Sequence, residues 1–324
     1  MNIGSISIEP IAAESMGVRS LCTLIRTPDI AILMDPSASL SMRYQLEPHP
    51  MEYRRLLKVL ERIFVSARTA DVLSISHYHF DHVRPGFTDY RYTLSSREEL
   101  QRLCQGKIVL AKDYRDKINA SQRRRGFYFE KDVKDLVTEI RWSDSRRYSF
   151  GNTDLLYSPA LPHGPKDTRL GFVLTTLIEY DGKRVLFAPD VQGPVAQESL
   201  DYILSLSPDA AIIGGPPIYL NKFEDHHKTA ALHSLHALAS RIPMLIVDHH
   251  LMRSSNCSEW IASALDFAHY HNHSILSMAE VAGLENECLE ADRKELYRKS
   301  PPCEAFVGWT KATDEYKAHH LPPL

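Results

Sequence analysis

Residues 72–82 read Val72-Leu73-Ser74-Ile75-Ser76-His77-Tyr78-His79-Phe80-Asp81-His82. A short apolar run that ends in three imidazoles and a carboxylate reads as a buried strand delivering nitrogen and oxygen ligands for a divalent transition metal at its C-terminal end. A loop at that point can leave an ion open to solvent and substrate, which suits catalysis better than structural metal binding. The plainer alternative is a polar turn with solvated imidazoles. In a chain with 16 histidines an isolated His-x-His arises easily by chance, whereas the longer His-x-His-x-Asp-His string after a strand does not.

On the N-terminal side, residues 5–11, 20–26 and 30–34 have the composition of short strands, with Thr27-Pro28-Asp29 as turn material. After Pro50, the residues Met51, Leu56, Leu57, Val59, Leu60, Ile63 and Phe64 recur mostly at three- and four-residue spacings, which predicts an amphipathic helix. On the C-terminal side, 107–111 reads as a strand, 113–136 as largely helix and 137–142 as strand. Gly151-Asn152 turns one hairpin, and Tyr180-Asp181-Gly182 turns a second between 170–179 and 183–188. Buried strands at 210–213 and 244–247 flank a helix at 228–239. Bursts of strands followed by strand–helix alternation predict an α/β fold with two sheets covered by outer helices.

Later strands also end in ligand-type side chains. His163 lies in Leu161-Pro162-His163-Gly164, Asp190 closes Phe187-Ala188-Pro189-Asp190, and His249 follows Leu245-Ile246-Val247-Asp248. Singly, His163 reads as a loop histidine and Asp190 as a turn residue, so the argument rests on their joint placement behind strands.

With Asp35 after Ile32-Leu33-Met34, this ordered set resembles the metallo-β-lactamase superfamily over about residues 18–250, and the whole chain resembles a largely archaeal branch of predicted hydrolases within it. The resemblance implies an αββα sandwich, with residues 1–250 as the catalytic domain and 251–324 as a helical C-terminal extension packed on it. By the same resemblance His77, His79 and His163 hold one metal, Asp81, His82 and His249 a second, and Asp190 bridges them. Two divalent ions are expected, zinc first, with manganese or iron as alternatives. A pair roughly 3.5–4 Å apart can share a hydroxide nucleophile while polarising the electrophile and receiving the leaving oxygen. Asp35 is expected to orient the cluster loop through backbone hydrogen bonds rather than touch metal. His249 and His250 both follow the last strand, where neighbours point to opposite faces. His249 is taken as the ligand, and His250 joins Asp81 and Asp190 as a catalytic candidate near the substrate.

Such a centre suits phosphodiesters, carboxylic esters, thioesters and lactones alike. A phosphoester on a nucleotide or nucleic acid is the leading reading, a small carboxylic ester, thioester or lactone the alternative, and a non-catalytic metal-binding scaffold the reading from outside enzymes. The basic stretch Arg115, Lys117, Arg123, Arg124 and Arg125, followed by Phe127, Tyr128 and Phe129, suits phosphate neutralisation plus base stacking. Its plainer alternative is a solvated helix face balanced by Glu130, Asp132 and Asp135. Arg123, Arg124 and Arg253 are the substrate-binding candidates. A net charge of −3 argues against binding nucleic acid or membrane by bulk charge.

Five scattered cysteines without Cys-x-x-Cys spacing argue for a reducing compartment, and the absence of a leader-like start or a long apolar run for a cytoplasmic protein. His269, His271 and His273 read as a solvated helix end, His226, His227, His233 and His236 as helix surface, and His319-His320 as part of a loose tail.

Overall fold

The strand residues alternate between two apolar environments, and that alternation builds four layers. In the computed structural model, which describes residues 1–324, a first sheet runs β1 (Asn2–Ile3), β2 (Ile6–Pro10), β3 (Thr23–Arg26), β4 (Ala31–Met34), β5 (Val72–Ile75), β6 (Ile108–Ala111) and β7 (Glu139–Trp142) in chain order. Next come β8 (Arg147–Phe150), β9 (Thr153–Tyr157) and the small pair β10 (Leu161–Pro162) and β11 (Phe172–Val173). They are followed by β12 (Thr176–Tyr180), β13 (Lys183–Ala188), β14 (Ala210–Gly214), β15 (Met244–Asp248) and β16 (Ser274–Leu276). The second sheet has the order β16-β15-β14-β13-β12-β9-β8. Each sheet is antiparallel at one end and parallel at the other, from β4 to β7 and from β13 to β16.

Ile32 and Met34 of β4, Val185 and Phe187 of β13 and Ile212 of β14 face one another between the sheets. Their neighbours Leu33, Leu186 and Ile213 face outward, under helices. Strands covered on both faces need apolar side chains at successive positions, which is why these read as continuous hydrophobic runs. The helices α1 (Pro50–Thr69), α2 (Arg97–Cys104) and α3 (Ala120–Val133) cover the first sheet, and α4 (Gln197–Ser205), α5 (Asp225–Ala239) and α6 (Cys257–Tyr270) the second. The result is the αββα sandwich of the metallo-β-lactamase type.

The helix expected over 113–136 begins only at Ala120, capped by the Asn119 side chain, because residues 113–118 turn back to place Asp113 and Asp116 carbonyls on the buried Lys112. The C-terminal stretch is not purely helical, since Ser274–Leu276 extends the second sheet as β16 beside β15. Beyond it lie α7 (Met278–Val281), α8 (Arg293–Lys299), α9 (Glu304–Thr310) and α10 (Asp314–His319). Phe306 and Trp309 of α9 enter the core beside Tyr53 of α1. The tail expected to be loose is docked, with Lys317 donating to Glu47 at 2.9 Å and Trp309 Nε1 to the His320 carbonyl at 2.9 Å. No helix is long and apolar enough to cross a membrane.

Glu290 accepts from Arg19 Nε at 2.6 Å and Nη2 at 2.7 Å. Burial pushes this carboxyl up, but Arg19 beside it, with Arg253 and Arg293 beyond, draws it down to about 2. A depressed carboxyl stabilises the fold above its unfolded value and loses that contribution as pH falls through the folded one. Glu290→Gln should therefore cost about 3 kcal/mol at neutral pH, a gap that narrows once pH drops below about 4.3. Denaturant titrations of both proteins across that range measure it, and a pH-independent gap would refute the assignment.

Candidate metal centre

Strand ends at one rim of the sandwich bring the candidate residues together. Asp35 follows β4 and His77 follows β5, while His163 follows β10, Asp190 follows β13 and His249 follows β15. Gly214, ending β14, is required here: a Cβ on it would lie 1.6 Å from the Pro189 carbonyl, so only glycine lets β14 approach the turn that presents Asp190. Asp35 and His249 both hold positive φ, at 44° and 61°, conformations non-glycine residues adopt only where their surroundings impose them.

The other six candidate ligands gather around Asp190. Its Oδ2 is 3.1 Å from His77 Nε2, 2.7 Å from His163 Nε2 and 3.4 Å from His82 Nε2, and its Oδ1 is 3.1 Å from His249 Nε2. His79 Nδ1 lies 3.0 Å from His77 Nε2 and 3.2 Å from His163 Nε2. His82 Nε2 and His249 Nε2 are 3.1 Å apart, and Asp81 Oδ2 is 3.8 Å from the latter. Four overlapping groups could hold an ion: His77-His79-His163-Asp190, Asp81-His82-His249, Asp35-His77-His82 and Asp190-His249-His250. His250 is also buried, with Nδ1 unpartnered and its ring 6.1 Å from that of His163.

The far sides of the imidazoles decide what these groups can bind. His82 Nδ1 lies 2.8 Å from Asp35 Oδ2, and His249 Nδ1 lies 2.7 Å from Glu14 Oε2. A carboxylate only accepts, so both Nδ1 atoms carry the proton. Ser76 Oγ donates to Asp35 Oδ2 at 2.6 Å and so accepts from His77 Nδ1 at 2.9 Å, fixing a third tautomer. Three Nε2 lone pairs then face a carboxylate whose Oδ1 is buried without a hydrogen bond. Such a set is repulsive unless cations lie within it. Burial opposes charge on His249 and His82, yet Glu14 and Asp190 lift the first well above its ordinary value, and Asp190 and Asp81 raise the second, so without a metal a proton on Nε2 takes the cation's place. An imidazole–carboxylate donor set held by outer carboxylates fits divalent transition metals.

Glu14 has no counterpart in the sequence reading. It sits in a tight turn after Ile11-Ala12-Ala13, and its one signal is a lone carboxylate in a small, apolar stretch. It also accepts from Arg253 Nε at 2.5 Å, and Arg253 Nη2 reaches Asp81 Oδ2 at 3.3 Å. Arg253 is thus buried between two carboxylates at the wall of a cavity of about 530 Å3 that opens over His79, Asp81, His163 and His250. Asp35 accepts from the Ser76 backbone at 2.7 Å as well as from His82. Arg123 and Arg124 do not line this cavity, because the turn of α3 that faces it presents Arg125 instead. None of these three arginines forms an ion pair with the acidic residues expected to balance them; Glu130 instead accepts from Tyr114 at 2.6 Å. The clusters around His226 and His271 join no metal-ligand group.

Fold and cage together define an αββα protein of the metallo-β-lactamase type with a histidine–aspartate centre. The chain belongs to the UPF0282 family. It is 40% identical over 292 residues to the UPF0282 protein MK0213 of Methanopyrus kandleri, covering 89% of this chain and 98% of that one. It is 35% identical over 304 residues to the UPF0282 protein MJ1629 of Methanocaldococcus jannaschii, covering 93% and 100%. No family model matches the chain. Among solved structures it aligns with Tm1679, a metal-dependent hydrolase of the beta-lactamase superfamily, at a TM-score of 0.48 and 12% identity over 83% of this chain and 94% of that one. The metallo-beta-lactamase fold protein YhfI of Bacillus subtilis aligns at 0.47 and 14% over 84% and 95%.

Proposed function

We propose that the protein is a metal-dependent hydrolase of phosphoesters, with His77, His79 and His163 holding one divalent ion, Asp81, His82 and His249 a second, and Asp190 shared between them. Zinc suits these donors first, with manganese or iron as alternatives. When bound, such a pair supplies Lewis acidity and a water acidified toward neutral pH. The chain's own residues do the rest. Asp35 and Glu14 hold the His82 and His249 rings by their Nδ1 protons, and Arg253 fixes Asp81 against the second group. His250, which lines the cavity as a neutral ring because burial holds its pKa well below the ordinary value, donates its single N–H to the substrate or leaving oxygen.

The observation that carries this reading is the convergence of three tautomer-fixed Nε2 atoms on one unsatisfied carboxylate. The choice of phosphoester over carboxylic ester, thioester or lactone is supported by the cationic wall, where Arg125 lines the cavity without a carboxylate partner. A panel of phosphodiester and carboxylic-ester reporters tests it on zinc-replete protein, with Asp81→Ala as control. Phosphodiester turnover lost in Asp81→Ala is expected; turnover of carboxylic esters alone would hand the site to the second reading. His250→Ala should retain its metal while losing about 10²–10⁴ in turnover, and loss of metal in it would exchange the roles of His249 and His250.

A further inference from the structure

The metal cavity does not end at its candidate ligands. Phe80, Phe87 and Arg125 line it on one side and, on the other, a second cavity of about 530 Å3 between α3 and the turn at 83–87. Phe80 stands between His79 and Asp81, so this second space begins one side chain from the cage. Both volumes are of the size that holds a small ligand.

Its walls combine flat aromatic surface with uncompensated positive charge. The Phe80 and Phe87 rings meet edge to face at 5.4 Å, and the Arg125 guanidinium lies 4.3 Å over Phe80. Tyr128 of α3 lines the same space, and it and Phe87 are 52% and 51% exposed, so each ring still offers about half its surface to a ligand. Arg124, Arg125 and Lys131 form no ion pair. By contrast Arg19, Arg84, Arg91, Arg253 and Arg293 all pair with carboxylates. The one acidic lining residue, Asp132, is also unpaired, and a carboxylate there accepts hydrogen bonds only.

We propose that this cavity is the base-binding half of a nucleotide site: it takes the nucleobase attached to the phosphoester that sits at the metal centre. The assignment rests on the phosphoester reading. Every nucleobase has a π-face that stacks on Phe87 and Tyr128, a guanidinium stacks on the same plane, Arg124 and Lys131, outside the metal cavity, meet the phosphate of an adjoining nucleotide where the substrate has one, and Asp132 accepts from a base amino group. The shared chemistry is nucleobase–sugar–phosphate, which a free nucleotide ester and the end of a single strand both present.

The test uses full-length, zinc-replete protein and three phosphodiesters: bis(p-nitrophenyl) phosphate, which has no base, the p-nitrophenyl ester of a nucleoside 5′-monophosphate, and a short single-stranded oligoribonucleotide. The double variant Phe87→Ala/Tyr128→Ala removes two exposed rings. It should lower the kcat/KM preference for the nucleotide ester over the base-free reporter by about tenfold or more, the scale of a lost base–aromatic stack. An unchanged preference overturns the proposal. Calorimetric titration of adenosine 5′-monophosphate gives an arm independent of turnover: affinity about tenfold weaker in the double variant supports the site, and equal affinity overturns it. If the wild type turns over none of the phosphodiesters, the hydrolytic reading fails while the titration still decides the cavity. A preference lost in Arg124→Ala for the oligoribonucleotide alone identifies a strand end as the source, and equal losses identify a free nucleotide.

Discussion

Asp190→Asn should leave the zinc-replete protein with at most one ion per chain, against two in the wild type, and lower phosphodiester turnover by more than the roughly 10–100-fold that loss of an outer hydrogen-bonding partner costs. The substitution keeps the shape of the side chain and removes the charge. In the structure this carboxylate contacts all four candidate imidazoles outside His79 within 3.4 Å, and both its oxygens face ring nitrogens. An amide there would turn its N–H₂ toward two of those lone pairs and satisfy them without a cation. Elemental analysis of both proteins after identical metal loading is the measurement. Two ions retained in the variant would show that the carboxylate does not join the groups, and the shared-ligand reading would fall.

Arg293→Met should destabilise the protein by about 3–5 kcal/mol, the range for breaking a buried ion pair from one side. Arg293 donates to both oxygens of Glu52, at 2.8 and 2.7 Å, and to the carbonyls of Ser41 and Leu46 at 2.8 and 3.1 Å. Neither side chain of the pair reaches solvent. Burial already lifts the Glu52 carboxyl above its ordinary value with the arginine in place, so its removal leaves a charge that nothing offsets. Glu52 also accepts from His49 N at 2.7 Å as part of the cap that starts α1, so the damage spreads into the helix covering the first sheet. Denaturant unfolding measures the loss. Adding Glu52→Gln to Arg293→Met should recover part of it, and a loss below about 1 kcal/mol would mean the pair is solvated in solution.

Much of this was legible in the chain because the signals are local. His77 to His82 form one contiguous string, His163, Asp190 and His249 each stand just past a recognisable strand, and the resemblance to the metallo-β-lactamase superfamily implies that those strand ends meet. The strand runs were readable because burial on both faces forces apolar residues at successive positions. What escaped depends on distance. Glu14 meets His249 across 235 positions, and Ser76 relays His77 to Asp35 through a hydroxyl, which has no distinctive spacing. The helix over 113–136 started late because Asn119 offers a cap inside the predicted span while Lys112 draws the preceding carbonyls inward. That Arg125, rather than Arg123 or Arg124, lines the metal cavity is invisible in the chain, because composition does not say which side of a helix faces a cavity.

His77 to His82 follow a strand of the first sheet, Asp190 and His249 follow strands of the second, and His163 follows the small β10–β11 pair, so the cage exists only where the two halves of the sandwich are closed on each other. Any cation it binds is therefore linked to the global unfolding equilibrium. Occupancy at a thousand times its dissociation constant would add about 4 kcal/mol to the folded state, and on the proposed metal reading a chelator should act on this protein as a denaturant as well as an inhibitor.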